Sequence, residues 1–315
     1  MNGRQKAFIA GGTLAGLLVL ELGLRIAGFG GPLLYRASPA GYEVVPDQHI
    51  HRLGHSLTYN ADGFRVTDTR TPYAPIRIMT IGDSITYGGS TTSDSDTYPM
   101  QFQRKLHTTG HKVSVLNPSA GGWSLPNEYS WLKTHGFHGA QITYLQIGQN
   151  DLFQPFESSD ILDSHPSFPS HNPLTAIGEV LTRYVAPRLH LAKPAIDPGA
   201  KASTAQPVQN DLMLKAVSDI HGLARAARSD LVIVYIRPKQ PSDSPETLMA
   251  EDALMRLART HAIPVIEVSP ALMAVGAETV FIDNVHPNTK GNTVIADLVA
   301  VDADMRLSQL RKAAQ

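Results

Sequence analysis

Three short polar motifs follow predicted strands, and their residue types are those of nucleophilic catalysis. Gly82-Asp83-Ser84 comes directly after the run IRIMTI, where a tight glycine turn would expose a hydroxyl among outward-pointing amide groups. Gly148-Gln149-Asn150 follows the run ITYLQI, and an asparagine there can donate its side-chain amide to an oxyanion. In Asp283-Asn284-Val285-His286, a carboxylate three residues before a histidine can orient the imidazole.

Each motif also has an ordinary structural explanation. Asp and Ser at positions 83 and 84 are common helix caps, Asn150 is common in Asx turns, and His286 could be a surface histidine beside a turn aspartate. Three such motifs at three strand ends of one sheet are harder to explain in this way, because the carboxyl ends of parallel strands meet at one edge. The combination favours a serine-hydrolase site.

Short apolar runs alternate with helical patterns along the chain from residue 76. The runs rich in β-branched residues are 76–81, 113–116, 142–147, 231–236 and 263–268. The segments with a period near 3.6 residues are Pro99–Thr109, Pro126–His135, Asp211–Arg228, Glu246–Thr260 and a last helix after Asn288. Strands that alternate with helices form right-handed crossovers, so the pattern predicts a three-layer α/β/α sandwich around a parallel sheet of about five strands.

Residues 1–29 predict a single N-terminal transmembrane helix. The stretch Phe8–Leu20 carries no charge, and about 20 helical residues span the roughly 30 Å of a bilayer's hydrocarbon. Glu21 and Arg25 lie four residues apart and can pair. A cleaved signal peptide is the alternative, although no A-x-A-like cleavage site is evident. The two basic residues before the apolar stretch favour a cytoplasmic amino terminus and a catalytic domain on the periplasmic or extracellular side.

The remaining chain divides into a spacer and a catalytic domain. Residues 30–75 are punctuated by glycine and proline, and a hairpin is predicted in which SLTY and FRVT flank the turn Asn60–Gly63. Residues 76–315 form the predicted catalytic domain. Its proline-rich insertion, 152–207, interrupts the alternation after Asn150, and only Leu174–Tyr184 within it has a helical pattern. Such insertions are commonly lids or binding loops, so we expect this one to set access or specificity.

Composition excludes several function classes. The 27 Lys and Arg against 28 Asp and Glu give a net charge of -1 without any basic block, which disfavours a nucleic-acid partner. The absence of cysteine excludes disulfides, thiolate metal sites and a cysteine nucleophile. The histidines at 49, 51 and 55 could suggest a metal site, but they lack a supporting carboxylate pattern, and solvated or structural histidines are the favoured interpretation.

The sequence resembles the SGNH, or GDSL-type, hydrolases from residue 76 to about 310. The three motifs match the first, third and fifth sequence blocks of that family in the expected order. The stretch YNADGFRV, together with the N-terminal apolar span, is similar to the membrane-anchored bacterial branch. The resemblance implies an SGNH-hydrolase fold in which Ser84 is the nucleophile, His286 the base and Asp283 its orienting acid. It implies an oxyanion hole formed by Asn150 and the amide of Ser84.

The second block departs from the family pattern. A glycine usually stands two residues after an asparagine, but Asn117-Pro118-Ser119-Ala120-Gly121-Gly122 has Ser119 there. The resemblance therefore implies Ser119 as an oxyanion donor through its backbone amide, with Gly121 as the alternative. Tyr87 and Trp123 follow the first and second blocks, and both are candidates for binding substrate. Packing against the next helix is an equally good explanation for Trp123.

The resemblance implies a serine esterase that needs no cofactor or metal ion. Its partner would be an ester-bearing small molecule, lipid or acylated glycan, and it would release a short acyl or O-acetyl group. An O-acyltransferase with the same triad differs only in the acceptor, since a sugar hydroxyl replaces water. A catalytically silent anchored protein that binds carbohydrate or acts as a scaffold is the alternative outside enzymes, and Ser119 in the second block is its best support.

Overall fold

The predicted apolar runs form a five-stranded parallel sheet, which confirms the predicted α/β fold class. The computed structural model describes residues 2–70, 72–189 and 207–313. The strands are β1 (Tyr35–Ser38), β2 (Gly41–Val44), β3 (His49–Arg52), β4 (His55–Thr58), β5 (Ile76–Ile81), β6 (Val113–Leu116), β7 (Ile142–Gly148), β8 (Asp230–Ile236) and β9 (Val265–Glu267). The parallel sheet has the order β6-β5-β7-β8-β9.

Helices cover both faces of this sheet. The helices of the described residues are α1 (Gly3–Ile26), α2 (Ser84–Tyr87), α3 (Tyr98–Thr108), α4 (Leu125–His135), α5 (Ala176–Glu179), α6 (Ala186–Arg188), α7 (Pro207–Ala227), α8 (Pro245–Thr260), α9 (Ser269–Val275), α10 (Ala277–Val280) and α11 (Thr289–Ala313). Alternate strand residues point to opposite faces. Ile78 thus packs with the buried side of α3 and α11, while its neighbour Met79 packs with that of α4 and α7. The result is the predicted three layers.

The last strand is shorter than the run 263–268 predicts. Pro264 has no N–H and cannot donate to the ladder, although its carbonyl accepts from the Ile233 N–H at 2.9 Å. Regular pairing therefore begins at Val265, opposite Ile233.

The strand pairing before the sheet differs from the predicted hairpin. The turn Asn60–Gly63 is present, but beyond it only Tyr59 and Arg65 form an antiparallel bridge. Residues 55–58 pair instead with β3 through the two-residue turn Leu53-Gly54. Both turn residues have positive φ, 50° and 86°, which is the backbone twist that two-residue hairpins favour. Leucine is uncommon in this conformation, so the sequence does not predict the turn.

Residues 30–75, which the sequence analysis describes as a spacer, contribute to the main hydrophobic core. Side chains of this segment that are almost fully buried include Tyr42, Leu57, Tyr59 and Phe64. They share one cluster with residues of the parallel sheet such as Met79. The segment therefore packs on the domain of the parallel sheet along much of its length.

Arg65 links this segment to the loop that follows the predicted nucleophile. Its guanidinium is fully buried and pairs with Asp94 at 2.8 Å. It also donates to the carbonyls of Tyr87, Gly89 and Thr92. Because a guanidinium presents five N–H donors in a rigid fork, one side chain can hold several turns of loop in place.

The helix α1 ends against the segment around Ala176. Among the described residues, it is the one helix long and apolar enough to cross a membrane. Near its end, the Glu21 carboxylate accepts hydrogen bonds from the N–H groups of Ala176 and Ile177, each at 2.9 Å. These residues belong to the proline-rich insertion, where the helical pattern Leu174–Tyr184 forms α5 and a π-helical turn. Residues 190–206 of the insertion lie outside the described residues.

We expect Arg65→Ala to lower the free energy of unfolding by about 3–5 kcal/mol, because it leaves the Asp94 carboxylate buried without its charge partner. Urea unfolding of the detergent-solubilised full chain measures this loss. The matched control is Arg36→Ala, since the Arg36 side chain is half exposed where it pairs with Glu43 and its removal should cost under about 1 kcal/mol. Equal losses in the two variants would contradict the described role of Arg65.

Candidate active site

The first motif forms a tight turn between β5 and α2. A Cβ at Gly82 would lie 2.5 Å from the Thr86 hydroxyl oxygen, so the close approach of strand and helix requires glycine. Asp83 caps α2 by accepting from the Ile85 N–H at 2.8 Å. Ser84 is the first residue of the helix, at the carboxyl end of a central strand. Asp83 therefore caps the helix, while the neighbouring Ser84 is the candidate nucleophile.

Ser84, His286 and Asp283 form a continuous hydrogen-bond chain. The distance from Ser84 Oγ to His286 Nε2 is 2.9 Å, and that from His286 Nδ1 to Asp283 Oδ2 is 2.8 Å. The other oxygen of Asp283 accepts from the backbone N–H groups of Val285 and His286, both at 2.8 Å. The structure therefore brings together the three residues that the motifs single out.

The surroundings of Asp283 keep it ionised. Partial burial acts to raise its pKa, but the hydrogen bonds from the His286 backbone and side chain and from the Val285 N–H outweigh this and lower the pKa below its usual value. An ionised carboxylate only accepts, so His286 Nδ1 carries the proton in this contact. Its Nε2 is then the acceptor for the Ser84 hydroxyl, which is the arrangement required of a base.

Asn150 also faces this site. It begins the short 3₁₀ helix Asn150–Leu152 after β7, and it lines the same cavity as Ser84 and His286. In the described part of the chain, neither its side-chain amide nor the Ser84 backbone N–H has a hydrogen-bond partner. Both donors are therefore available to a ligand in the cavity.

The second block places the alternative candidate Gly121 at the cavity and not Ser119. Ser119 does not line it: its hydroxyl accepts from the Gly82 N–H at 3.1 Å, and its own N–H donates to Asn117 Oδ1 at 3.2 Å. Gly121 and Gly122 line the cavity instead. The Ser119 hydroxyl thus holds the turn before the nucleophile, and its amide is already bonded within an Asx turn.

The two aromatic candidates also differ in position. Tyr87 lines the cavity and accepts a hydrogen bond from the Tyr35 hydroxyl at 3.0 Å. Trp123 is fully buried, and its indole N–H donates to the Tyr42 carbonyl at 2.9 Å. Trp123 therefore packs the N-terminal segment onto the domain and is not at the cavity surface.

The cavity has a volume of about 780 Å³ and extends well beyond Ser84. One part is lined by Ser84, Asn150 and His286. Another part is lined by residues that the sequence analysis did not identify, from β3 and the proline-rich insertion: Arg52, Glu179, Arg183, Tyr184 and Phe168. Arg52 and Glu179 form a buried ion pair at 2.7 Å. The two residues are 127 positions apart, so no local motif in the sequence indicates this pair.

Comparison with known proteins gives one matching family model and several similar solved structures. The family model described as the GDSL-like lipase/acylhydrolase family matches residues 80–294. Similar solved structures include an alpha/beta hydrolase enzyme from the metagenome of Lake Arreo, Spain (14% identity, 73% of this chain, 95% of that chain, TM-score 0.47) and the acetyl xylan esterase AlAXEase (15%, 71%, 98%, 0.48). The psychrotrophic esterase EstA from Pseudoalteromonas sp. is similar at 11% identity over 74% of this chain and 98% of that chain, with a TM-score of 0.45. No curated protein matches the chain.

Three carboxyl groups are buried beneath the site. Asp151 accepts from the Gly148 N–H at 2.6 Å, and Asp83 caps α2. Glu128 on α4 is fully buried, and within the described structure neither of its carboxyl oxygens has a hydrogen-bond partner. Burial, together with the charges of Asp151 and Asp83, raises the pKa of Glu128 well above its usual value. Glu128 therefore keeps its proton to a higher pH in the folded protein than in the unfolded chain.

We expect Glu128→Gln to stabilise the protein at pH 8 and to leave its stability unchanged near pH 4. The folded wild type retains a proton on Glu128 that the unfolded chain releases above pH 4.5. Its unfolding free energy therefore falls with rising pH by up to about 1.4 kcal/mol per unit. Glutamine removes this contribution.

Melting temperatures of both proteins from pH 4 to pH 9 test this expectation. Asp83 and Asp151 are present in both proteins, so the difference between the two curves reports the titration of Glu128 together with its coupling to these two carboxyl groups. A difference that stays constant over the whole range would show that Glu128 does not change its protonation state on unfolding.

Proposed function

The chain belongs to the GDSL-like lipase/acylhydrolase family, and we propose that it is a serine esterase with the catalytic triad Ser84, His286 and Asp283. As a member of that family it is an enzyme that hydrolyses ester bonds. The observation that carries the proposal is the unbroken chain of hydrogen bonds, 2.9 Å and 2.8 Å long, from the Ser84 hydroxyl through His286 to Asp283.

The proposed reaction has two steps. Ser84 Oγ attacks the carbonyl carbon of the ester while His286 Nε2 takes the hydroxyl proton, and the Asp283 carboxylate stabilises the imidazolium that results. The tetrahedral intermediate collapses, the alcohol leaves with the proton from His286, and an acyl-Ser84 ester remains. Water then attacks this ester with His286 again as base, which releases the acid and restores Ser84.

We propose that the oxyanion of this intermediate is held by the Asn150 side-chain amide and the Ser84 backbone N–H. Both groups lack hydrogen-bond partners among the described residues, and both belong to the cavity wall. A third donor comes from the second block. The contacts of Ser119 favour Gly121 or Gly122 for this role, because the Ser119 N–H is occupied while these two glycines line the cavity.

The proposed substrate is a carboxylic ester of a short acyl or O-acetyl group on a larger alcohol, such as a glycan or a lipid. A volume of about 780 Å³ exceeds the space that an acetyl ester alone would occupy. The cavity wall beyond Ser84 combines apolar groups such as Leu33 and Phe168 with the charged Arg183. This mixed wall suits an alcohol that carries both polar and apolar parts.

We propose that α1 is retained as a membrane anchor, with the catalytic domain on the non-cytoplasmic side. Glu21 and Arg25 are bonded to each other at 2.7 Å, and Glu21 also caps α5. The Ala27 carbonyl accepts from the Leu53 N–H at 2.9 Å. Removal of α1 as a signal peptide would leave both contacts unmade, which supports retention.

We expect Ser84→Ala to lower kcat on a short p-nitrophenyl ester by at least about 10⁴-fold, because the nucleophile is lost while the fold is unaffected. Steady-state hydrolysis by the full chain in detergent measures this loss. Ser167→Ala removes another hydroxyl from the cavity wall and serves as the matched control, with activity close to wild type. Comparable activity in the Ser84 variant and the wild type would refute the triad.

We expect Asn150→Ala to lower kcat by about 10²–10³-fold with little change in KM. An oxyanion donor acts mainly in the transition state, and removal of one costs about 2.7–4 kcal/mol. The same ester assay gives both constants, and an unchanged melting temperature shows that the variant is folded. A higher KM at constant kcat would instead assign Asn150 to ground-state binding.

A further inference from the structure

Four exposed leucines lie in the two segments that contact the end of α1. They are Leu53, Leu174, Leu181 and Leu189, with exposed fractions of 56%, 97%, 52% and 60%. Leu53 lies in the β3–β4 turn, and the other three belong to the proline-rich insertion. We call this set the leucine rim.

Hydrogen bonds place two members of the leucine rim, Leu53 and Leu174, at a defined level along α1. The Leu53 N–H donates to the carbonyl of Ala27, directly after the helix end. Leu174 lies two residues before Ala176, whose N–H donates to Glu21. Five residues of helix separate Glu21 from the end of α1, which corresponds to about 7.5 Å along the axis. Leu174 is therefore held alongside the last turns of α1.

The insertion segment that carries three of these leucines has an inverted distribution of polarity. On its inner side, Glu179 and Arg183 have side-chain exposures of 0% and 15%, and Glu179 pairs with the buried Arg52. On its outer side, Leu181 is exposed in the π-helical turn, and Leu189 is exposed directly after α6, beside the exposed Arg188. A helix at an aqueous surface has the opposite arrangement, with its charges outward. The outer side of this segment, with two leucines and one arginine, is therefore suited to the boundary between lipid headgroups and acyl chains.

We propose that the leucine rim rests in the interfacial region of the bilayer that α1 crosses. This rests on the proposed retention of α1 as an anchor and is independent of the catalytic residues. Interfacial segments bury their apolar side about 5–10 Å into the headgroup and acyl boundary, which agrees with the 7.5 Å offset along α1. The catalytic domain is thus seated on the membrane surface, held by α1 and the leucine rim together.

Site-directed spin labelling of the full chain in phosphatidylcholine–phosphatidylglycerol nanodiscs tests this proposal. The chain has no cysteine, so Leu174→Cys and Leu181→Cys each provide a single labelling position. Leu17→Cys reports the membrane interior. Val301→Cys on α11, whose native side chain is 62% exposed, is the matched aqueous control. Collision rates with molecular oxygen, which partitions into lipid, and with a water-soluble nickel chelate give the depth of each label.

We expect the ratio of oxygen to nickel collision rates at Leu174 and Leu181 to exceed that at Val301 by at least about threefold. Ratios equal to that of Val301 would overturn the proposal, as would an aqueous ratio at Leu17. Exclusion of both reagents together with dipolar broadening would show that a second copy covers the rim, and this also overturns it. None of these readouts depends on turnover. They therefore test the leucine rim alone, and the Ser84→Ala assay tests the esterase assignment separately.

Discussion

The hydrogen bond between Ser84 and His286 joins residues 202 positions apart in the chain, and the rest of the site depends on it. Parallel strands make this contact possible, because β5 and β7 deliver Ser84 and Asn150 to the same edge of the sheet. His286 lies in a loop. In this loop the Ile282 N–H donates to the His286 carbonyl at 2.8 Å, and Phe281 forms an antiparallel bridge with Pro287. The imidazole is thus held by a short closed loop between α10 and α11, and Asp283 within that loop orients it.

The N-terminal segment is part of the same structure and does not act as a loose stalk. Arg65 of this segment donates hydrogen bonds to carbonyls of the loop after α2. The Trp123 indole N–H donates to the carbonyl of Tyr42 in the same segment. Farther along, the ion pair of Arg52 with Glu179 joins the segment to the insertion that forms the far wall of the cavity. The cavity is therefore assembled from the N-terminal segment, the insertion and the loops of the parallel sheet, and Ser84 and His286 lie on two of these loops.

The sheet could be predicted from the sequence, because each strand is a short apolar run. Ser84, His286 and Asp283 could be predicted because each lies in a short local motif. The sequence did not predict the cavity wall, since Arg52 and Glu179 are 127 residues apart and nothing local relates them. The roles of Ser119 and Trp123 depend on the hydrogen-bond acceptors that the fold provides. The Ser119 N–H donates to the Asn117 side chain, and the Trp123 indole N–H donates to a carbonyl 81 residues away. The Leu53-Gly54 turn was missed because leucine is rarely found at positive φ.

The central claim is that His286 activates Ser84 above every other hydroxyl of the chain. Reaction of the full-length protein with a fluorophosphonate, followed by peptide mass spectrometry, tests this most directly, because such reagents phosphonylate serines whose hydroxyl is activated by a base. The account predicts a single adduct, located on Ser84, that forms much more slowly when His286 is replaced by alanine. Folded protein that gives no adduct, or an adduct on another serine at an unchanged rate in the His286→Ala variant, would contradict it.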